Sequence, residues 1–238
     1  MLIAPHSINI IWPHVYKALS FDPLKDLIAV SQVHLADFAF AVGAPVPARN
    51  LAEYAAWVKE NPAKNGLYGL TGALGGTPHF LGLLYARSAG LDLTPVPYKG
   101  TVQGVQDLIG GQTSAWMGPL SDIERFHASG KARILATTGP ARSKFVPQVP
   151  TFAESGHAAA SWQERFGIYL RAGAAPATVQ ALNRSVREVL DMPDVKAMFE
   201  KHTTEARSST PEQFETLIRQ ENARWGGIIK AAGFTPED

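Results

Sequence analysis

Short apolar runs alternate with stretches of helical period along most of the chain. Residues 28–33 and 38–42 are apolar runs separated by polar positions, and they read as two strands, the second ended by Gly43-Ala44-Pro45-Val46-Pro47. Asn50 then caps a helix to about residue 60, with Leu51, Tyr54, Ala55 and Val58 at helical spacing. Residues 66–70 predict a strand, followed by a glycine-rich loop. Thr77 as N-cap and Pro78 as first helical residue predict a helix to about residue 89. Residues 94–98 are extended, and a helix starts near Thr101 and stops at Gly110-Gly111. Residues 114–118 form a strand that meets Pro119, which opens a helix to Ala128. Residues 133–138 are the next strand. This alternation predicts a mainly parallel sheet with helices on both faces, an α/β class.

The tail changes character. A helix begun near Pro176 carries Val179, Leu182, Val186, Val189 and Leu190 on one face and breaks at Asp191-Met192-Pro193. Thr210 and Gln213 form a capping box for a last helix with Phe214, Leu217, Ile218, Trp225, Ile228 and Ile229 on its apolar face.

Composition removes several function classes. Lys+Arg 22 against Asp+Glu 21 leaves a net charge of +1, and no basic run exceeds two residues, so a nucleic-acid or anionic-membrane surface has no support. The 238 residues are 45% hydrophobic, which excludes wholesale disorder. There is no cysteine, hence no disulfide framework, thiolate nucleophile or iron–sulfur ligation. No apolar run reaches the 18 or so residues of a membrane helix. The start lacks the basic region of a signal peptide, so none is expected in this chain. The seven histidines, at 6, 14, 34, 79, 127, 157 and 202, never pair at metal-ligand spacing, and no metal site is expected. The common nucleotide, hydrolase and zinc-protease motifs are absent.

What remains is a set of strand-to-helix turns. The first runs from Thr71, Gly72 and Ala73 through Leu74, Gly75 and Gly76 to Thr77, ahead of Pro78 and His79. Glycines let the backbone approach a ligand, and the helix that follows offers unpaired N–H groups and a positive dipole end. By spacing alone, a loop that needs glycine for its own turns is an equal reading. The second turn holds Tyr98, Lys99, Gly100 and Thr101, and the third holds Trp116, Met117, Gly118 and Pro119. All three lie where strands end, the usual place for ligands in open α/β sheets, and their convergence favours a small-anion site. His79 reads as a structural or rim residue. Trp116 is the one tryptophan on a strand ending at the site.

Several ordered segments resemble the substrate-binding proteins of tripartite tricarboxylate transporters, the TctC or Bug family. They include Phe21-Asp22-Pro23-Leu24-Lys25-Asp26-Leu27, the loop from Tyr68-Gly69 to Pro78-His79, Val96-Pro97-Tyr98-Lys99-Gly100, Gly130-Lys131-Ala132-Arg133-Ile134, and Val149-Pro150-Thr151-Phe152-Ala153-Glu154-Ser155-Gly156. The resemblance implies a type II periplasmic-binding-protein fold. One α/β lobe would comprise 1–41 plus 165–238, the other 42–164, with a ligand cleft between them. It implies an extracytoplasmic, periplasmic receptor that captures a dicarboxylate, tricarboxylate or aromatic acid for a two-component membrane permease. Some members also report to sensor kinases. It further implies no enzyme activity, no metal or organic cofactor and a monomer. The site residues it carries over are Ser7, Thr71, Gly72, Ala73, Gly75, Gly76, Thr77, Tyr98, Gly100 and Thr101, with Met117 and Gly118.

Two departures stand out. The chain begins about where the second family strand is expected, so it reads as lacking its N-terminal portion and the first-lobe loop that portion carries. At the third turn, Met117-Gly118-Pro119 replaces the polar pair of many relatives. A ligand amino group then has no evident acidic partner, which favours an uncharged or aromatic body bearing carboxylates. A cytosolic effector-binding module of the same fold is the alternative reading. An enzyme with Lys99 as nucleophile would require that lysine to be buried.

Overall fold

The computed structural model describes residues 1–236. In chain order its elements are β1 (Leu2–Pro5), α1 (Ser7–Ile10), α2 (Trp12–Val15), β2 (Leu27–Gly43), α3 (Leu51–Glu60), α4 (Pro62–Asn65), β3 (Leu67–Thr71), α5 (Thr77–Ala89), β4 (Thr94–Tyr98), α6 (Thr101–Gly110), β5 (Ala115–Pro119), α7 (Leu120–Ala128), β6 (Ala132–Thr137), β7 (Gln163–Arg171), α8 (Pro176–Asp191), α9 (Pro193–Glu200), β8 (Glu205–Ala206) and α10 (Pro211–Ala232). They divide into two compact units, 1–36 with 164–238, and 37–163.

In the first unit, β1 pairs antiparallel with β7, and β8 pairs antiparallel with β2 at His34 and Leu35. Val30, Ile168 and Val179 are the centre of an apolar cluster joined by Leu182 and Val186 of α8. Asn183, buried beside them, donates from its amide to the carbonyls of Val30 and Ser209, each at 2.8 Å. A buried polar side chain is tolerated because both donors find acceptors. The predicted capping box of α10 is present: Gln213 N–H donates to Thr210 Oγ1 and Thr210 N–H to Gln213 Oε1.

The second unit has strand order β4-β3-β5-β2-β6. The pairs β3·β4 and β3·β5 are parallel, whereas β2 runs antiparallel to both β5 and β6. Alternation along β2 sends Phe40 to one face, against Tyr54 of α3, Tyr85 of α5 and Phe152. Ala39 and Ala41 go to the other, with Trp116, Val105, Leu108 and Ile123 beneath α6 and α7. Trp116 is fully buried. It fits because three glycines surround it. A Cβ on Gly69, Gly104 or Gly118 would stand 2.9, 2.2 or 2.4 Å from an indole atom.

The structure corrects several expectations. The sheet is mixed, not mainly parallel. The two predicted strands 28–33 and 38–42 are one strand of 17 residues. The polar positions between them do not break it, because His34 stacks on Phe166 at 4.5 Å and pairs through its backbone with Ala206. Helix α5 is capped by Gly76, with Thr77 and Pro78 as its first two residues, so Thr77 is no N-cap. Val189, assigned to the apolar face of α8, is 47% exposed.

The glycine cradle gives a test. Alanine stabilises an exposed helix position relative to glycine by up to about 1 kcal/mol. At Gly104 we expect the reverse, a loss of about 1–3 kcal/mol from overpacking against Trp116. The urea midpoint of Gly104→Ala, compared with Gly110→Ala on the same helix, checks it.

Candidate functional site

Three consecutive strand-to-helix junctions lie at one edge of the second unit. Because β3 pairs in parallel with both β4 and β5, their carboxyl ends come out together: Thr71 is opposite Tyr98, and Leu70 is opposite Met117. Each strand feeds a helix, α5, α6 or α7. The first-turn amides of a helix have no intrahelical acceptor, so three positive helix ends collect at that edge. The edge is closed by a backbone bond from Gly72 N–H to the Tyr98 carbonyl, at 2.9 Å.

Side chains tie the three turns together. Thr101 Oγ1 donates to Asp122 Oδ2 at 2.9 Å, and Thr71 Oγ1 lies 3.3 Å from Thr101 Oγ1. Thr71 ends β3, Thr101 opens α6, and Asp122 is in the first turn of α7. Burial raises the Asp122 pKa, while the Thr101 hydroxyl and Arg125 pull it back. Thr101, Ser121 and Asp122 also border a cavity of about 390 Å³ between α6 and α7, walled by Val102, Val105 and Phe126.

The glycine-rich loop is held by His79. Gly75 N–H donates to His79 Nδ1 at 3.1 Å, which requires that nitrogen to be unprotonated. Desolvation lowers the His79 pKa, in keeping with that role. Gly72 and Gly75 adopt φ of 93° and 82°, a region that favours glycine.

The remaining expected residues fall as follows. Gly72 and Ala73 are exposed, Gly76 is half-buried, and Thr77 and Gly75 are buried. Gly100 is exposed, and Gly118 is buried against Trp116. Tyr98 is buried, and its hydroxyl donates to Asp107 Oδ2 at 2.7 Å. Burial first and Asp107 second push its pKa up to about 12. Its phenol therefore serves the α6 core and not the edge. Met117 is fully buried, leaving only backbone to offer. Trp116 is likewise a core residue, and its Nε1 is buried with no hydrogen-bond partner among the described atoms. Lys99 is exposed, so the burial that a nucleophilic amine needs is missing. Ser7 belongs to the other unit, where it opens α1 after His6, whose Nδ1 is 2.7 Å from Glu164 Oε1.

Asp122 was missed by sequence reasoning, which judged the third turn to lack an acid. The signal was available three residues beyond Pro119, as a first-turn acid of a helix that opens at a strand end. Among the described residues, no group of three or more acidic or histidine side chains is placed to hold a metal ion. No described helix is long and apolar enough to cross a membrane.

Residues 2–234 match the family described as the tripartite tricarboxylate transporter family receptor, TctC. The chain belongs to the TctC family. It is 29% identical over 229 residues to a UPF0065 protein of Cupriavidus necator, a match covering 93% of this chain and 66% of that one. This chain thus spans just under two thirds of that curated relative. An R. palustris protein solved with adipate superimposes with a TM-score of 0.88 at 25% identity, over 99% of this chain and 78% of that chain. The periplasmic binding protein BugD superimposes with a TM-score of 0.86 at 24% identity, over 99% and 79%. The TctC chain described here accordingly has the type II periplasmic-binding-protein fold expected from its sequence.

Acid should loosen the loop. A histidine whose folded pKa is lowered contributes stability that is present above its ordinary value near 6.5 and is lost as pH falls below it, since the unfolded chain then binds more protons. His34, His127 and His157 are lowered by burial as well and add to the same trend. We expect the unfolding midpoint to fall between about pH 7 and 5. In His79→Gln it should fall less, as followed by thermal scans across that range.

Proposed function

We infer that the three-turn edge of the second unit captures a small carboxylate, and that the chain is the solute-binding part of a tripartite tricarboxylate transporter. The observation that carries this is the chain of side-chain bonds Thr71–Thr101–Asp122, which ties the end of β3 to the N-termini of α6 and α7 at one strand edge. Oriented backbone N–H groups and helix dipoles bind a carboxylate without an arginine, and this edge supplies both. The adipate in the R. palustris relative supports a carboxylic acid as ligand class. The ligand class comprises dicarboxylates, tricarboxylates and aromatic acids. Family membership further supports a periplasmic location and delivery to a two-component permease. The role needs no reaction and no cofactor: a receptor binds and releases its ligand unchanged.

The test is thermal unfolding of the 238-residue chain against aliphatic and aromatic carboxylates. A ligand at 100 times its Kd adds about 2.7 kcal/mol, which raises the midpoint of a protein this size by roughly 5–10 °C. Thr101→Val, which removes the link between turns, should weaken binding about tenfold, the worth of one hydrogen bond. No shift with any acid would overturn the proposal.

A further inference from the structure

We propose that Asp122 sets the specificity of this site, by making it select acids that carry a hydrogen-bond donor such as a 2-hydroxyl group. The inference rests on the carboxylate reading above and adds which carboxylates are held best.

The argument is an accounting of protons. A threonine hydroxyl has one hydrogen and two lone pairs, and an ionised carboxylate can only accept. Thr101 gives its single hydrogen to Asp122. It therefore has none for Thr71, so the contact between the two hydroxyls runs from Thr71 to Thr101, and the hydrogen of Thr71 is used as well. The direction of the whole chain is fixed at its far end by a charge, and hydrogen bonds to an ionised acceptor are about twice as strong as neutral ones. What Thr71 presents at the end of β3, next to exposed Gly72 and Ala73, is lone pairs only. The site is thus divided in chemistry. Backbone N–H groups of the turns are donors and take the carboxylate. Thr71 Oγ1 is an acceptor and takes a hydroxyl or amino hydrogen of the ligand. An acid without such a group leaves that oxygen desolvated and unpaired, which is the kind of mismatch that binding sites reject most strongly.

Titration calorimetry on the full chain tests this with pairs that differ by one hydroxyl: succinate with L-malate, and phenylacetate with L-mandelate. The expected result is that the hydroxy acid of at least one pair binds about tenfold more tightly, the worth of one ordinary hydrogen bond. Asp122→Ala frees both threonine hydrogens to turn toward an anion, so the ratio of hydroxy-acid to plain-acid affinity should fall toward one. Thr71→Val removes the acceptor, so the hydroxy acid should lose more affinity than the plain acid and the ratio should fall toward one. A purely structural role for either residue would weaken both acids of a pair alike. Equal binding of both members by the wild-type chain, or a ratio unmoved in Thr71→Val, overturns this inference and leaves carboxylate capture standing. Binding of none of the four acids overturns both.

Discussion

Parallel pairing of β3 with β4 and β5 is the constraint on which the candidate site depends. A strand that runs parallel to its neighbour must be reached by a crossover, and here each crossover is a helix. All three strands therefore deliver their helices from the same edge, and three helix N-termini accumulate there without any charged side chain having to bring them together. On the far side of β5, the antiparallel strand β2 and then β6 continue the sheet and add no helix start to this edge. The electrostatics of the edge follow from topology, and the side chains of Thr71, Thr101 and Asp122 then lock it.

The parts of the fold that were readable in the sequence are those decided by neighbours in the chain. Asn50 caps α3 by accepting from Glu53 N–H at 2.8 Å, and Thr210 and Gln213 close the capping box of α10. Gly111, in the left-handed conformation, ends α6 where the sequence placed its stop. The three turns were legible for the same reason, since glycine, proline and threonine act on their own backbone. Resemblance to a family carried the fold class beyond what periodicity supports.

The parts that were not readable depend on contacts between elements that the pattern of the chain does not place side by side. Whether β2 continues through His34 is decided by Phe166 and Ala206, more than a hundred residues on. The role of Tyr98 is decided by Asp107, which turns its phenol into the α6 core. Trp116 sits on a strand that ends at the site, yet alternation and three glycines direct it into the packing beneath α6 and α7. Asp122 lay just past the motif in which an acid was sought, and its reach to Thr101 exists only once α6 and α7 stand side by side.

The tryptophan cradle has a consequence for how such a sequence changes over time. Positions 69, 104, 116 and 118 share one volume, and a side chain added at any of the three glycines must displace the indole. A smaller residue at 116 leaves a void instead, and large-to-small replacement of a buried aromatic costs about 3–5 kcal/mol. Either first step is penalised and only the pair restores density, so these four positions are inherited as one block. Descendants that lose the tryptophan should acquire bulk at a former glycine in the same lineage.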